Sequence, residues 1–567
     1  MPTPTSRSLA IGLFFLALVF HTSVVWQDFS ILAQNGFLYD DSFYAFKIAQ
    51  NIANGQGVTF DGTHATNGFQ PLYVLILVPV FWLSGSNLVA PVYVALTLSA
   101  LLTALTALFL FAIVRRYTGK TTAAIVTFFW AMSPVVTRQA ANGLETSLAL
   151  FFFAASVYFY LTRIRCADSP SRGAFIRMGL LVGLAALARI DELILGLVIL
   201  LDYLLLVRRR QTRAFGNVFA AIAVAIVVYS PWLAYNVKVT GSPYQESGTA
   251  TRYLSLAYAP FYEIDTGEAV RGEPNAAFLW RNVRHSFSVL KLAPPVHPAF
   301  RSIERADMAL GSAGVVERIG SGVGLLVLAG FLFVVLKRRR WLPAGIVEVR
   351  FLLWFCALLV ASYSLVVFGA FFFIRYYYPI YFVLCIYAAF FVEAALRRLP
   401  AFTPTFRKLA IGAVALYGAA LLSMAYTSAY RSTAVYPFYD VARWVDEHTA
   451  PHETIGVFQG GAVGYLSHRR VINLDGKVNG GALDALRSDR LSEYLADEGI
   501  DVLMDNAKVL KLFIGTEELE RGLRVHYNPI MHGSQGGVPG WAAYRLVPDR
   551  STTGATLSSP QNPSGNR

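Results

Sequence analysis

Apolar runs of membrane-crossing length recur along this chain, and short basic clusters fall between them in a consistent alternation. At about 20 residues per crossing, the runs 8–26, 88–114, 121–137, 145–162, 176–188, 192–207, 215–234, 321–337, 350–371, 377–395 and 407–427 read as about 11 spans. The clusters are Arg115-Arg116 with Lys120, then Arg163, Arg165, Arg172 and Arg177. Arg208 to Arg210 with Arg213, Lys337 to Arg340, and Arg397-Arg398 with Arg407-Lys408 follow. With that span count every cluster lies on one side, which the positive-inside rule makes cytoplasmic. The N-terminus is then inside and the C-terminal part outside. Composition agrees: 55% of the 567 residues are hydrophobic, only 15% are charged, and the mean hydropathy is +0.49. This excludes a soluble globule. The net charge of +13 is explained by the loop clusters, so no nucleic-acid partner is implied. The first run follows Arg7, lacks a small-x-small cleavage site and reads as a retained anchor. Cys166, Cys356 and Cys385 fit no metal spacing, and no structural disulfide is expected.

The apolar stretch 71–83 is too short to cross and would reverse every later segment, so it reads as re-entrant or interfacial. The residues that interrupt the apolar pattern then share the outer face. They are Asp40-Asp41 in a first outer loop (27–87), Arg138 to Glu145, Arg189 to Glu192, the start of a long outer loop (235–320), and Arg375 to Pro379. Ionisable groups beside spans are costly and tend to face a cavity or pathway, so this convergence points to one outer site. The membrane unit is 1–429. Beyond it, Thr454 to Phe458, Arg470 to Leu474 and Asp501 to Met504 read as buried strands, and 481–497 as an amphipathic helix. This predicts a small extracytoplasmic α/β domain over 430–550, with a disordered Ser/Thr/Gly/Pro tail at 551–567.

The segment Asp40-Asp41-Ser42-Phe43-Tyr44, followed by Ile48 to Gly57 and by Asn67-Gly68-Phe69-Gln70-Pro71-Leu72, resembles the first outer loop of bacterial GT-C glycosyltransferases. The nearest likeness is to the branch with mycobacterial arabinofuranosyltransferases; protein mannosyltransferases and the aminoarabinose transferase are more distant. Asn142-Gly143-Leu144-Glu145-Thr146 is similar to the second outer-loop motif. Ala188-Arg189-Ile190-Asp191-Glu192 is similar to Ala-Arg-Pro-Asp-Gly, departing at Ile190 and Glu192. Arg375-Tyr376-Tyr377-Tyr378-Pro379 is similar to Arg-Tyr-x-x-Pro, and Ile472 to Lys477 resembles a segment of the C-terminal domain. The resemblance implies a multi-pass bacterial cytoplasmic-membrane enzyme that inverts at the anomeric carbon. Its donor would be a polyprenyl-phosphate sugar, and its acceptor a glycan, lipid or protein at the outer face.

Such a transfer needs a base, tolerance of oxocarbenium charge and cations for the departing phosphate. Asp40 or Asp41 is the candidate base; the resemblance puts the family's first-loop acid on Asp40, which makes Asp40 the catalytic base and Asp41 the helix cap. Arg375 offers a planar fork to the phosphate, with Arg189 and Lys47 as further cationic candidates. Glu145, Arg138, Asp191, His64, Asn67 and Gln70 are the residues expected near the acceptor or a metal. Carboxylates with His64 could hold a divalent cation, but no motif demands one. The competing readings are a helix-start role for Glu145, an Arg189–Asp191 structural pair, a snorkelling Arg375 and turn stabilisation by His64. At the level of function, the alternatives are a flippase for a lipid-linked precursor and a non-catalytic envelope assembly factor. No inverted repeat of the transporter kind is visible.

Overall fold

The computed structural model describes residues 4–34, 37–207, 215–257, 345–367, 374–398, 437–514, 527–532 and 540–546, with scattered positions in 276–283 and 403–423. The expected spans 321–337 and 407–427, most of the long outer loop and the tail lie outside, or largely outside, these residues.

The membrane unit is a helical bundle. The helices used below are α1 (Pro4–Val25), α2 (Phe29–Gln34), α3 (Asp40–Ala53), α4 (Pro71–Ser84), α5 (Ala90–Tyr117), α6 (Lys120–Ala131), α7 (Pro134–Ala140), α8 (Thr146–Phe159), α9 (Arg172–Ala188), α10 (Leu193–Val207), α11 (Phe215–Thr240) and α12 (Glu246–Ala257). Helices Phe351–Ala361 and Tyr378–Arg398 follow. Five described helices are long and apolar enough to cross a bilayer: Ser6–Val25, Ala90–Tyr117, Thr146–Ile164, Gly216–Thr240 and Arg375–Arg397. α4 has only 14 residues, about 21 Å of helix against a hydrocarbon core of about 30 Å. It packs on α3 and α5 while Trp82 and Leu83 stay exposed.

Two expected elements break. The run 121–137 is not one span: it ends at Ala131, and Ser133 caps a new helix by accepting from the Val136 N–H at 3.2 Å, with Pro134 at its first position. The amphipathic run 481–497 divides into Gly480–Arg487 and Leu491–Asp497, because Asp489 takes a left-handed conformation (φ 52°) between them.

The C-terminal residues form a five-stranded sheet, with β1 (Thr454–Val457), β2 (Arg470–Asn473), β3 (Val502–Asn506), β4 (Tyr527–His532) and β5 (Trp541–Leu546) in the order β2-β1-β3-β5-β4. β1 runs parallel to β2 and to β3; β5 is antiparallel to both β3 and β4. The carboxyl ends of the three parallel strands therefore share one edge. That edge carries Phe458 to Gly461, Asn473 to Lys477 and Asp505, and it sits on the amino end of α3. A single buried cluster runs through the contact, joining Phe43, Phe46 and Phe81 of the first loop and α4 to Tyr465 and Val463. Two glycines make the approach possible. A Cβ on Gly68 would strike the Lys477 carbonyl, and one on Gly461 would strike the Asp40 carbonyl.

Candidate active site

Local sequence explains how the acids meet their partners. Tyr39 opens α3 with no side-chain cap bond, and Asp40 and Asp41 fill its first turn, where negative charge suits the helix dipole. The Asn142-Gly143 turn lies against that end. Gly143 adopts φ +72°, its carbonyl accepts from the Tyr73 hydroxyl at 2.8 Å, and a Cβ there would press on Leu38 and Ser42 at 2.9 Å. This turn carries Glu145 to the head of α8.

Asp41 points away from its own helix axis. Its carboxylate accepts from Arg375 Nη2 at 2.5 Å and lies 3.8 Å from Lys477 Nζ, which also pairs with Asp475 at 3.0 Å. Burial pushes Asp41 up, but Lys477 and Arg375 outweigh it and pull the carboxyl down to about 2. The expected cap role of Asp41 is therefore not what the structure contains: it is the anion between two cations.

Asp40 turns the other way. It accepts from the Gly461 N–H at 3.2 Å and the Ala462 N–H at 2.7 Å, at the start of the short helix Gly461–Leu466. Burial raises its carboxyl to about 7, with the charge of Asp41 adding to the rise and the two N–H donors opposing it. Tyr44, one turn on, ties the same edge: its hydroxyl oxygen accepts from the Gly460 N–H at 3.0 Å and from Asn473 Nδ2 at 2.9 Å.

Arg375 is 8% exposed, so it is not a snorkelling side chain. Its guanidinium lies 5.8 Å from the Tyr39 ring centroid and 5.3 Å from that of Tyr376. Arg189 lies 5.3 Å from the same Tyr376 ring, which stacks on Tyr363 with centroids 4.6 Å apart. Arg189 donates to Glu145 at 2.6 Å, to Asp191 at 3.1 Å and to the Tyr363 hydroxyl at 3.0 Å; that hydroxyl donates to Asp191 at 2.7 Å. Glu145 heads α8 without a side-chain cap bond, so the ion pair with Arg189 accounts for it better than the helix-start role. Asp41, Arg375, Arg189, Glu145 and Asp191 thus form one linked network through Tyr376 and Tyr363, although they come from four separate segments.

The other expected residues lie elsewhere. Arg138 lies in the last turn of α7, and no described residue forms a hydrogen bond or ion pair with it; Glu145 pairs with Arg189 instead. His64 bridges Asp61 at 2.6 Å and Glu498 at 3.0 Å, a clasp between the 56–66 segment and the C-terminal sheet unit. The hydrogen bond to Asp61 raises the His64 imidazole above its ordinary value. Asn67 accepts from the Glu246 N–H at 2.9 Å and donates to the Tyr244 carbonyl at 3.1 Å, so it anchors α12 rather than a sugar. Gln70 precedes α4 without a side-chain cap bond, and its Oε1 is buried with no hydrogen-bond partner among the described residues. Lys47 is seven residues along α3 from Asp40, about 10 Å of axial rise, and lines a different cavity with Asn51 and Arg470. Lys477 and Asp475 are site residues missing from the expected set. The signal available was the family-like segment Ile472 to Lys477 just past a strand end.

An apolar cleft of about 380 Å³ opens between α9, α10 and α11, lined by Met178, Val182, Leu197, Ile222 and Ile226 among others. Its rim includes Leu193, next to the Ile190–Glu192 turn that carries Asp191. Gly179 and Gly183 let α9 approach α11 closely along this cleft. Among the described residues no group of three or more His, Cys, Asp or Glu side chains is placed to hold a metal ion.

Residues 71–235 match the dolichyl-phosphate-mannose-protein mannosyltransferase family, and residues 424–556 match a domain of unknown function. The chain is similar to the Archaeoglobus fulgidus oligosaccharyltransferase in complex with Zn and sulfate, at 15% identity and a TM-score of 0.51, over 91% of this chain and 71% of that one. It is also similar to ArnT from Cupriavidus metallidurans bound to undecaprenyl phosphate, at 15% identity and a TM-score of 0.48, over 96% and 99%. A third similarity is to the A. fulgidus oligosaccharyltransferase AglB with an inhibitory peptide and a dolichol-phosphate, at 14% identity and a TM-score of 0.46, over 98% and 76%. No curated protein matches the chain. The fold is that of the A. fulgidus oligosaccharyltransferase, and the mannosyltransferase-family match lies within the helical part of it.

Proposed function

We propose that the chain is a multi-pass membrane glycosyltransferase of the GT-C type and that it moves one sugar from a polyprenyl-phosphate donor to a hydroxyl of a glycan, lipid or protein at the outer face of the bacterial cytoplasmic membrane. The observation that carries this reading is the position of Asp41 between Arg375 and Lys477. A phosphate arriving there competes with Asp41 for both cations. As it takes them, Asp41 loses the charges that hold its pKa down and becomes a base. The acceptor hydroxyl oxygen then attacks the anomeric carbon, its proton passes to Asp41, and the bond from that carbon to the phosphate oxygen breaks. The leaving phosphate keeps the electron pair, with its charge held by Arg375 and Lys477. Attack opposite the leaving group inverts the anomeric centre.

Asp40, whose two oxygens already accept N–H bonds, acts here as a positioning residue. It holds the strand edge that delivers Lys477. The Arg189–Glu145–Asp191 network backs the Tyr376 wall between the two arginines. The apolar cleft between α9, α10 and α11 suits the prenyl tail, because its lining is almost wholly apolar and it includes Leu193, two residues from Asp191. The family name over residues 71–235 supports a polyprenyl-phosphate donor. The test is sugar transfer from a panel of polyprenyl-phosphate sugars in proteoliposomes. A wild-type chain that transfers none of them refutes the reaction, and an active Asp41→Asn chain refutes the site.

A further inference from the structure

Lys47 has no role in the reaction above, yet it is the most unusual cation in the outer region. It is half-buried, burial lowers its ammonium pKa, and among the described residues no carboxylate, carbonyl or hydroxyl pairs with it. An unpaired ammonium turned away from bulk water is unfavourable unless something anionic meets it. Lys47 faces a cavity of about 190 Å³ between α3, the 56–62 turn and the edge of β2. Its polar lining includes Asn51, Gln56, Asp61, Arg469 and Arg470.

Charge accounting around the cavity leaves a positive surplus. The carboxylate of Asp61 is already committed to His64 and to the N–H groups of Thr63 and His64, at 2.6–2.9 Å. Arg469 is spent on the Asp446 and Thr449 carbonyls at 2.9 and 2.7 Å and on the carboxylate of Asp446 at 3.5 Å. Arg470 reaches Thr63 at 3.1 Å and shares Glu498 with His64 at 3.5 Å, and its side chain is 39% exposed. Lys47 is the cation left over. The volume is below that of most drug-sized pockets and suits a single sugar ring or its charged substituent rather than a lipid tail.

We propose that this cavity binds the anionic group of an acidic sugar, a uronate carboxylate or a sugar phosphate, on the acceptor glycan. Lys47 makes the charge contact and Arg470 supports it at the rim. The assignment to the acceptor rests on the transferase reading; the binding of an anion does not. Because one wall is the first outer loop and the other is β2, the cavity exists only while the C-terminal sheet unit is docked. It lies two turns of α3 from the Asp40 end, on the same face, with Tyr44 packed between them, so it would read a sugar away from the one being modified.

The experiment titrates the purified full chain in detergent at low salt with glucuronate, glucose 6-phosphate and glucose. A charged sugar should bind saturably and at least about tenfold more tightly than glucose, the effect of one charge-assisted contact. Tighter binding of glucuronate assigns a uronate, and tighter binding of glucose 6-phosphate assigns a phosphorylated sugar. K47M should weaken that binding by about tenfold or more, while K47R retains most of it and so separates charge from folding. Equal binding of all three sugars, or wild-type affinity in K47M, overturns the proposal. In D41N, which should abolish transfer and free Arg375 and Lys477 for phosphate, the part of charged-sugar binding that K47M removes should persist, so failure of the transferase reading and failure of this one give different results.

Discussion

Asp41→Asn separates binding from chemistry. In the free site the Asp41 carboxyl is held at about 2, against an ordinary 3.8. At 1.36 kcal/mol per pH unit, that drop corresponds to roughly 2 kcal/mol of net attraction to Lys477 and Arg375. A donor phosphate must displace this attraction to take the two cations. Asparagine keeps the shape but removes the charge. Affinity for the polyprenyl-phosphate product, read as its inhibition constant, should therefore improve by about tenfold to a hundredfold. Loss of the base should lower kcat by about 10²–10⁴. The assay is sugar transfer in proteoliposomes, with kcat measured at saturating donor and the free polyprenyl phosphate titrated as inhibitor. A variant with weaker phosphate binding refutes the competition argument. A variant with kcat within a few-fold of wild type refutes Asp41 as the base.

Burial raises Asp40 to about 7 and Asp505 to about 8 where α3 meets the parallel strand edge. Both pKa values are raised on folding, so their contribution to docking is fully present below about pH 4 and is lost as pH rises through about 7–8. Hydrogen exchange of the 454–506 strands should accelerate from pH 5 to 8 beyond the intrinsic rate, and Asp40→Asn should flatten much of that dependence; a wild-type profile with no excess slope contradicts it. Gly68→Ala forces the Lys477 carbonyl away and should destabilise the docked sheet unit by about 1–3 kcal/mol, with a raised KM for donor; unchanged thermal unfolding and KM would count against the contact. Arg189→Gln strands the buried Glu145 and the half-buried Asp191 and should destabilise the bundle by about 3–5 kcal/mol. Adding Glu145→Gln should recover part of that loss in the same unfolding assay, and full additivity of the two changes would show that the residues are not coupled.

The largely helical, apolar character of the chain and the charged residues of the candidate site were legible because each depends on local pattern. Apolar length marks the long helices, and a charged residue beside an apolar run marks a candidate site whatever the helix contacts are. Arg375, Arg189, Glu145 and Asp41 were found this way. What the chain did not reveal locally was which of two neighbouring acids faces which partner. Asp40 and Asp41 differ by about 100° around α3, and only the parallel register of β1 with β2 decides that one meets the Gly461 and Ala462 N–H groups while the other meets Lys477. Lys47 illustrates the same limit from the other side. Positions 40, 44 and 47 share a helix face, so spacing alone groups Lys47 with the acids as a phosphate ligand. The C-terminal sheet unit breaks that grouping by seating Gly460 and Asn473 on the Tyr44 hydroxyl. One face of one helix is thereby divided into a docking contact at Asp40 and a separate cationic cavity at Lys47. A turn signal was present in Gln459-Gly460-Gly461 after a strand, where α/β sheets gather ligands at their strand carboxyl ends. Here that edge receives Asp40 of the same chain, and this intramolecular use is what brings Lys477 to the membrane site.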